Sequence, residues 1–295
     1  MNFKDYQEKA KETIQKSFED NTSLDNLIPF YLGIVGETGS VISELKKKLR
    51  DGKGYNMYKP QLKEELGDVL WYLSTIATLN GLDFQEIAIN NIQKTHDRFK
   101  KTNLYEFDIF DKDYPEVEQF PGEFEIQFVE ETEGELRKLK ILDGQGDQIG
   151  NTLTDNSYSD DGYRYHDIFH FGYVAFLGWS PVTRKLMEIK RKSNKKTDEV
   201  EDGARAAIVE ELIALYIYNH AQEHELFQYS QSVDSDVLKT IKKMVAGLEV
   251  KNCSSRQWEA AIIESYKVFN ELVLNRGGRV LVSKKNRKLL YIGNK

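Results

Sequence analysis

Between Pro60 and Gly81 the chain reads PQLKEELGDVLWYLSTIATLNG, apolar at helical spacing but carrying two acids, Glu65 and Asp68, three positions apart. A helix turns residues three apart onto one face. Both carboxylates therefore stand beside Val69, Leu70, Leu73 and Ile76. Acids bordering a core-facing stripe are costly unless something neutralises them, and such a helix needs partners of its own kind. The flanking segments supply them. Tyr6, Ala10, Ile14 and Phe18 recur at helical spacing, with a break at residues 20–23. A second helix is predicted over 27–49, with Pro29 tolerable only in its first turn. Residues 51–59 form a loop, Pro60 opens the third helix, and Asp83 with Glu86 makes a capping box for a fourth that ends near Phe99. Four helices with short connections imply an all-α bundle over residues 1–100.

The pattern changes over 101–162, which contains Pro115, Pro121 and many acids. FEIQFVE (124–130) alternates apolar and polar residues as a half-buried strand does, and LRKLKIL (136–142) reads as its antiparallel partner. DGQGD and DNSYSDDG are turn-rich. This part is expected to be a linker with a small β-sheet. Helical patterns return over 163–177, 182–191, 200–227, 236–246 and 256–275, with Ser254 and Gln257 as a capping box and Gly277 and Gly278 ending the last helix. RVLVS and KLLYI read as a hairpin. The expected fold is mainly α: a four-helix bundle, a small antiparallel β element in the middle, and a second helical module over 163–295 with a C-terminal β-hairpin.

Composition narrows the chemistry. The 41 basic and 48 acidic residues leave a net charge of −7, which argues against general nucleic-acid binding. Cys253, the single cysteine, excludes an intrachain disulfide or a cysteine-based zinc site and suits a reducing, cytoplasmic compartment. The sequence contains no apolar run long enough for a membrane span, and its first segment lacks a signal-peptide core.

The candidate chemistry concentrates in the first hundred residues. Glu37 and Glu44 lie seven apart on the second helix, close to one face and about 10 Å apart along its axis. Gly33, Gly36, Gly39 and Gly67 interrupt helices, each at a cost of roughly 1 kcal/mol against alanine. Repeated small residues permit the close helix approach that a shared metal site needs, although tight apolar packing is the plainer account. Acids on helices also commonly form solvated faces. A hard divalent cation such as Mg²⁺ would neutralise them, since it favours a few carboxylates plus water and phosphate oxygens.

Taken together, GETGSV with Glu37, EELGDVLWYL with Glu65 and Asp68, and NIQKTHDR with Asn91, Lys94 and Arg98 resemble the E-x-x-E, E-x-x-D, N-x-x-K-x-x-x-R pattern of the MazG-like, all-α nucleotide pyrophosphohydrolases. The resemblance implies Mg²⁺-dependent cleavage of (deoxy)nucleoside triphosphates between the α and β phosphates, with Mn²⁺ as a substitute ion. It implies metal ligation by Glu37, Glu65 and Asp68, and proton transfer by a nearby carboxylate, Glu44 or Glu64. Asn91, Lys94 and Arg98 would contact nucleotide and phosphate, and the bundle would pair as a homodimer or as a pseudo-dimer within the chain. One position departs from the pattern: the second acid of E-x-x-E falls on Ser40, which brings no charge. An alternative follows, a nucleotide-binding sensor or regulatory protein with weak or lost catalysis.

The second half is similar to the C-terminal domain attached to some MazG-like proteins, in YRYHDIFHFGYVAFLGWSP, RKSNKKTDEVEDGARAAIVEEL and LEVKNCSSRQWEAAIIESYKVF. VEELIALYIYNHA echoes KEELGDVLWYLST, with Ala214 in the place of Asp68, which suggests a degenerate repeat or a chance likeness of apolar helices. His166 and His170, four apart, could hold a metal with Glu199, Asp202 or Glu210, although aromatic helices also pack histidines. Arg164-x5-His170 fits the spacing of some helical ribonucleases, and residues 184–196 carry seven basic residues and one acid. Those two features motivate an RNA-directed reading.

Overall fold

The computed structural model describes residues 1–15, 24–99, 110–134, 136–154, 158 and 160–294. Two compact units divide the chain, Met1–His96 and Asp97–Lys295.

The first unit is built from α1 (Phe3–Lys11), α2 (Leu24–Asp51), α3 (Tyr58–Leu79) and most of α4 (Phe84–Phe99), whose last three residues belong to the second unit, with α3 packed against both α1 and α2. Asn2 and Asp5 form a capping box on α1. That helix stops at Lys11. Ile14 is still buried, whereas Phe18 and the expected break at 20–23 fall outside the described residues. Trp71 of α3 donates to Thr13 Oγ1 at 2.7 Å, tying the segment after α1 to the bundle. Because α2 starts at Leu24, Pro29 lies in its second turn, not its first, where the missing N–H removes one intrahelical bond. Gly33 allows close approach: a Cβ there would stand 2.2 Å from Tyr72 Cε1 of α3. Gly36, Gly39 and Gly67 meet nothing within 4 Å, so the expectation that the glycines together bring the helices close holds only at Gly33. Asp83 caps α4 by accepting from the Glu86 amide at 2.9 Å.

The second unit joins strands that the sequence separates widely. β1 (Glu123–Glu133), β2 (Leu136–Asp143) and β3 (Gln148–Leu153) form one antiparallel sheet with the hairpin of β4 (Gly277–Ser283) and β5 (Lys288–Gly293), in the order β3-β2-β1-β4-β5. The segment expected as a linker with its own sheet thus contributes three of these five strands. Phe128 pairs with Ile141 on one side and with Gly278 on the other. Gly277 has φ +112°, and a Cβ on it would lie 2.4 Å from the Phe128 carbonyl oxygen, so the β1–β4 contact requires glycine. Ile126, Phe128, Leu139, Ile141, Val280 and Val282 bury one face of the sheet, as alternation demands. β3 was not expected. Its burial does not alternate, and Gly150 has φ +69°.

Against β4 and β5 pack α5 (Asp167–Leu177) and α10 (Ser255–Asn275). Every residue of α5 is buried. Ser254 and Gln257 make the expected capping box on α10. The helix expected over 182–191 is shorter: α6 (Pro181–Leu186), capped by Ser180. The one expected over 200–227 is shortened to α8 (Ala204–Gln222), preceded by the separate short α7 (Lys195–Val200) and followed by a 3-10 turn over Glu225–Phe227. Asp202, in the break, receives Arg191. α9 (Ser235–Met244) completes the helices of this unit among the described residues.

The short α6 has a consequence for the basic run. Arg184 and Arg191 are buried, not surface cations. Arg184 pairs with Asp111 at 2.9 Å and lies 4.1 Å over the Phe120 ring. Arg191 pairs with Asp202 at 2.6 Å and Glu249 at 2.7 Å. Lys284 adds a contact of 3.1 Å to Asp111. Arg164 is buried too, against Asp160 at 2.5 Å. Three of the cations that motivated an RNA-directed reading, Arg164, Arg184 and Arg191, are therefore internal counter-charges, while Lys185, Lys192, Lys195 and Lys196 stay exposed.

Candidate active site

Three of the sequence-predicted acids meet in the first unit. Glu37 comes from α2, and Glu65 and Asp68 come from successive turns of one face of α3. One carboxylate oxygen from each lies within 4.8 Å of the others. Glu37 and Glu65 are half-buried and Asp68 is exposed, so the group opens to solvent. Burial, then the neighbouring carboxylates of Glu37, Asp68, Glu44 and Glu64, push the Glu65 carboxyl above its usual range. Like charges gathered this closely favour any cation placed between them. The donors are all hard carboxylate oxygens, which fits a hard divalent ion such as Mg²⁺.

Glu44 is placed differently. It is buried, receives Lys47 Nζ at 2.5 Å and the Tyr55 hydroxyl, and these hydrogen bonds hold its carboxyl below the usual range. Such a carboxylate is a poor proton acceptor, because both donors stabilise its ionised form. Tyr55, in the loop after α2, was not anticipated, and nothing in its spacing announced it. Glu64 is exposed, with Gln61 Nε2 3.4 Å away. Ser40 sits half-buried on α2, three residues beyond Glu37. Asn91 and Lys94 are exposed on α4. Arg98 falls in the second unit, where its Nη2 donates to the Val233 carbonyl at 3.2 Å.

Two family profiles cover most of the chain. The MazG nucleotide pyrophosphohydrolase domain matches residues 29–102, and the MazG C-terminal domain matches residues 105–295. The chain belongs to the MazG family. A relative is the Gene 37 protein of Mycobacterium phage L5, 32% identical over 96 residues, which span 32% of this chain and 84% of the phage protein. No solved structure matches the chain. The MazG nucleotide pyrophosphohydrolase match takes in Glu37, Glu65, Asp68, Asn91, Lys94 and Arg98.

In the MazG C-terminal region the histidine pair is also located. Glu210, one of its three expected partners, meets His170 Nδ1 at 2.8 Å. Asp202 is committed to Arg191. The acid on the other side of the pair is Glu211, 3.4 Å from His170 Nε2 and 3.8 Å from His166 Nε2. Sequence reasoning passed over it because adjacent glutamates on a helix differ by about 100° in direction, and only the position of the facing helix selects one.

No helix among the described residues is long and apolar enough to cross a membrane.

Proposed function

We propose that this MazG protein is a Mg²⁺-dependent nucleoside triphosphate pyrophosphohydrolase, converting (d)NTPs to monophosphates and pyrophosphate. The observation that carries the reading is the convergence of Glu37, Glu65 and Asp68 from two helices. These three residues would hold Mg²⁺, which supplies phosphate charge neutralisation and an acidified water when bound. Glu64, exposed one residue before Glu65, is the better candidate to take the proton of the attacking water, since Glu44 is held by Lys47 and Tyr55. Lys94 offers a point charge for phosphate, and Asn91 an amide for sugar, base or phosphate. Arg98 is already engaged with Val233, so the proposal leans on Asn91 and Lys94.

Homodimerisation belongs to the same proposal. Along α2, Ile28, Leu32, Val35, Ile42 and Leu49 are all exposed. From Ile28 to Ile42, with Gly39, they repeat at spacings of four and three, and Leu49 follows seven residues on, a seam suited to a second helix. A cytoplasmic location accords with the single cysteine, Cys253, which is buried.

The test is a panel of NTPs and dNTPs with Mg²⁺ and with Mn²⁺, products separated by chromatography, and Glu65→Ala run beside the natural protein. Monophosphate plus pyrophosphate, absent with Glu65→Ala, is the expected outcome. Ser40 favours the second reading, a nucleotide-binding regulator. Nucleotide binding by calorimetry without turnover in either metal would replace the hydrolase with it.

A further inference from the structure

We propose that the MazG C-terminal region holds a second, chemically distinct metal site, in which His166, Asp167, His170 and Glu211 bind a first-row divalent transition ion of the Zn²⁺ type. Ligand atoms of His166, Asp167 and His170 lie within 4.8 Å of one another. His166 Nε2 is 3.5 Å from Asp167 Oδ1 and 3.8 Å from Glu211 Oε2. His170 Nε2 is 3.9 Å from Asp167 Oδ1 and 3.4 Å from Glu211 Oε2. A tetrahedral ion with bonds of about 2.1 Å has ligand–ligand edges of about 3.4 Å. The four measured edges are at or slightly above that length, so a small contraction closes them on an ion.

Both imidazoles are set for ligation through Nε2. His166 Nδ1 lies 3.0 Å from the Tyr163 carbonyl, which can only accept, so Nδ1 carries the proton. His170 Nδ1 meets the Glu210 carboxylate at 2.8 Å. That carboxylate also accepts from Ser180 Oγ at 2.6 Å and from the Val182 amide at 2.8 Å. Carboxylate–imidazole pairs of this kind fix the tautomer and orient a metal-binding histidine. His170 Nε2 is left fully buried with no hydrogen bond, and it points between two acceptor oxygens. A buried polar atom in that position needs an explanation, and a cation provides one. Two imidazole nitrogens with two carboxylates favour Zn²⁺, Fe²⁺ or Mn²⁺ over Mg²⁺, unlike the all-carboxylate group of the first unit.

The ion has a way in. Glu211 and Tyr163 also line a cleft of about 800 Å³ with Lys185, Ile208 and Leu212. Glu211 is 46% exposed on that side, while His170 lies beneath it. Ser180 and Glu210 hold the far side of His170, so Glu210 is a positioning residue and not a ligand.

The test uses the full chain, stripped with chelator, in a background of Glu65→Gln and His224→Ala. These changes disable the acidic group of the first unit and the group of half-buried His220 with exposed Glu223 and His224. Zn²⁺ calorimetry and elemental analysis should give one equivalent, and Co²⁺ should produce the intense visible absorption of a tetrahedral ion. His166→Gln and Glu211→Gln should each abolish or weaken binding by at least about 10-fold, and Glu210→Gln by about 10–100-fold. Glu211 is partly exposed, so its variant should fold, as checked by circular dichroism. Zn²⁺ binding absent from this background, or unchanged by His166→Gln and Glu211→Gln, overturns the site. His170 is then an imidazolium held between Glu210 and Glu211, which nitrogen chemical shifts would show directly.

Discussion

Glu44 and Glu65 have the same side chain and opposite surroundings. Lys47 and Tyr55 hold Glu44 ionised, whereas burial and four neighbouring acids raise Glu65. Pyrophosphate release assayed at saturating Mg²⁺ should therefore fall more than about 100-fold in Glu65→Gln and less than about 10-fold in Glu44→Gln, if only the former touches the reacting centre. Asp111 is a residue whose work is purely structural. Burial alone would raise its carboxyl, but the Phe120 amide, Lys284 and Arg184 outweigh burial and hold it below its ordinary value of 3.8. A carboxyl depressed in the folded state stabilises fully above its unfolded pKa, and that contribution is lost as pH falls through the folded value. The natural protein should thus lose stability as pH drops below about 4. Asp111→Asn should show a shallower acid slope and should be about 3–5 kcal/mol less stable at pH 7, because it leaves the buried Arg184 and the half-buried Lys284 with one counter-charge fewer. Urea melts at pH 7 and pH 3.5 check both statements.

At the scale of elements, glycines that look alike in sequence separate by environment. Gly33→Ala should drive a methyl into Tyr72 and cost about 1–3 kcal/mol by overpacking. Gly36→Ala meets open space and should stabilise α2 by up to about 1 kcal/mol. Thermal melts of the two variants decide it. The contrast also marks what was legible. Local signals were: the Ser254 and Gln257 box, the Asp83 cap, and the alternation in β1 all appeared where spacing placed them. Non-local ones were not. β3 lacks alternation because half its residues face solvent, and Gly36 and Gly33 differ only in what α3 brings near them. The basic run misled for the same reason, since Arg184 and Arg191 find Asp111, Asp202 and Glu249 only in the folded unit. At the candidate site, the pattern named Glu37, Glu65 and Asp68, which the fold brings together. It could not name Tyr55 as the partner of Glu44.

For the whole molecule, the exposed seam on α2 makes assembly measurable. Val35→Glu and Leu32→Glu place a charge on residues exposed at 68% and 66%, so the isolated chain should fold as before. Sedimentation velocity should show a dimer for the natural protein and a monomer for the double variant, because a charge pair across a two-fold seam repels its own copy. The sheet of the second unit carries a different consequence, one of timing. β1 waits for β4, whose Gly278 pairs with Phe128 from 150 positions later in the chain. At roughly 5–20 residues per second of synthesis, β1 emerges about 8–30 s before the strand that covers its edge. Slowed or interrupted translation would lengthen that interval. A nascent chain arrested before residue 277 therefore presents an open β-edge, a template for aggregation and a natural target for a holding chaperone.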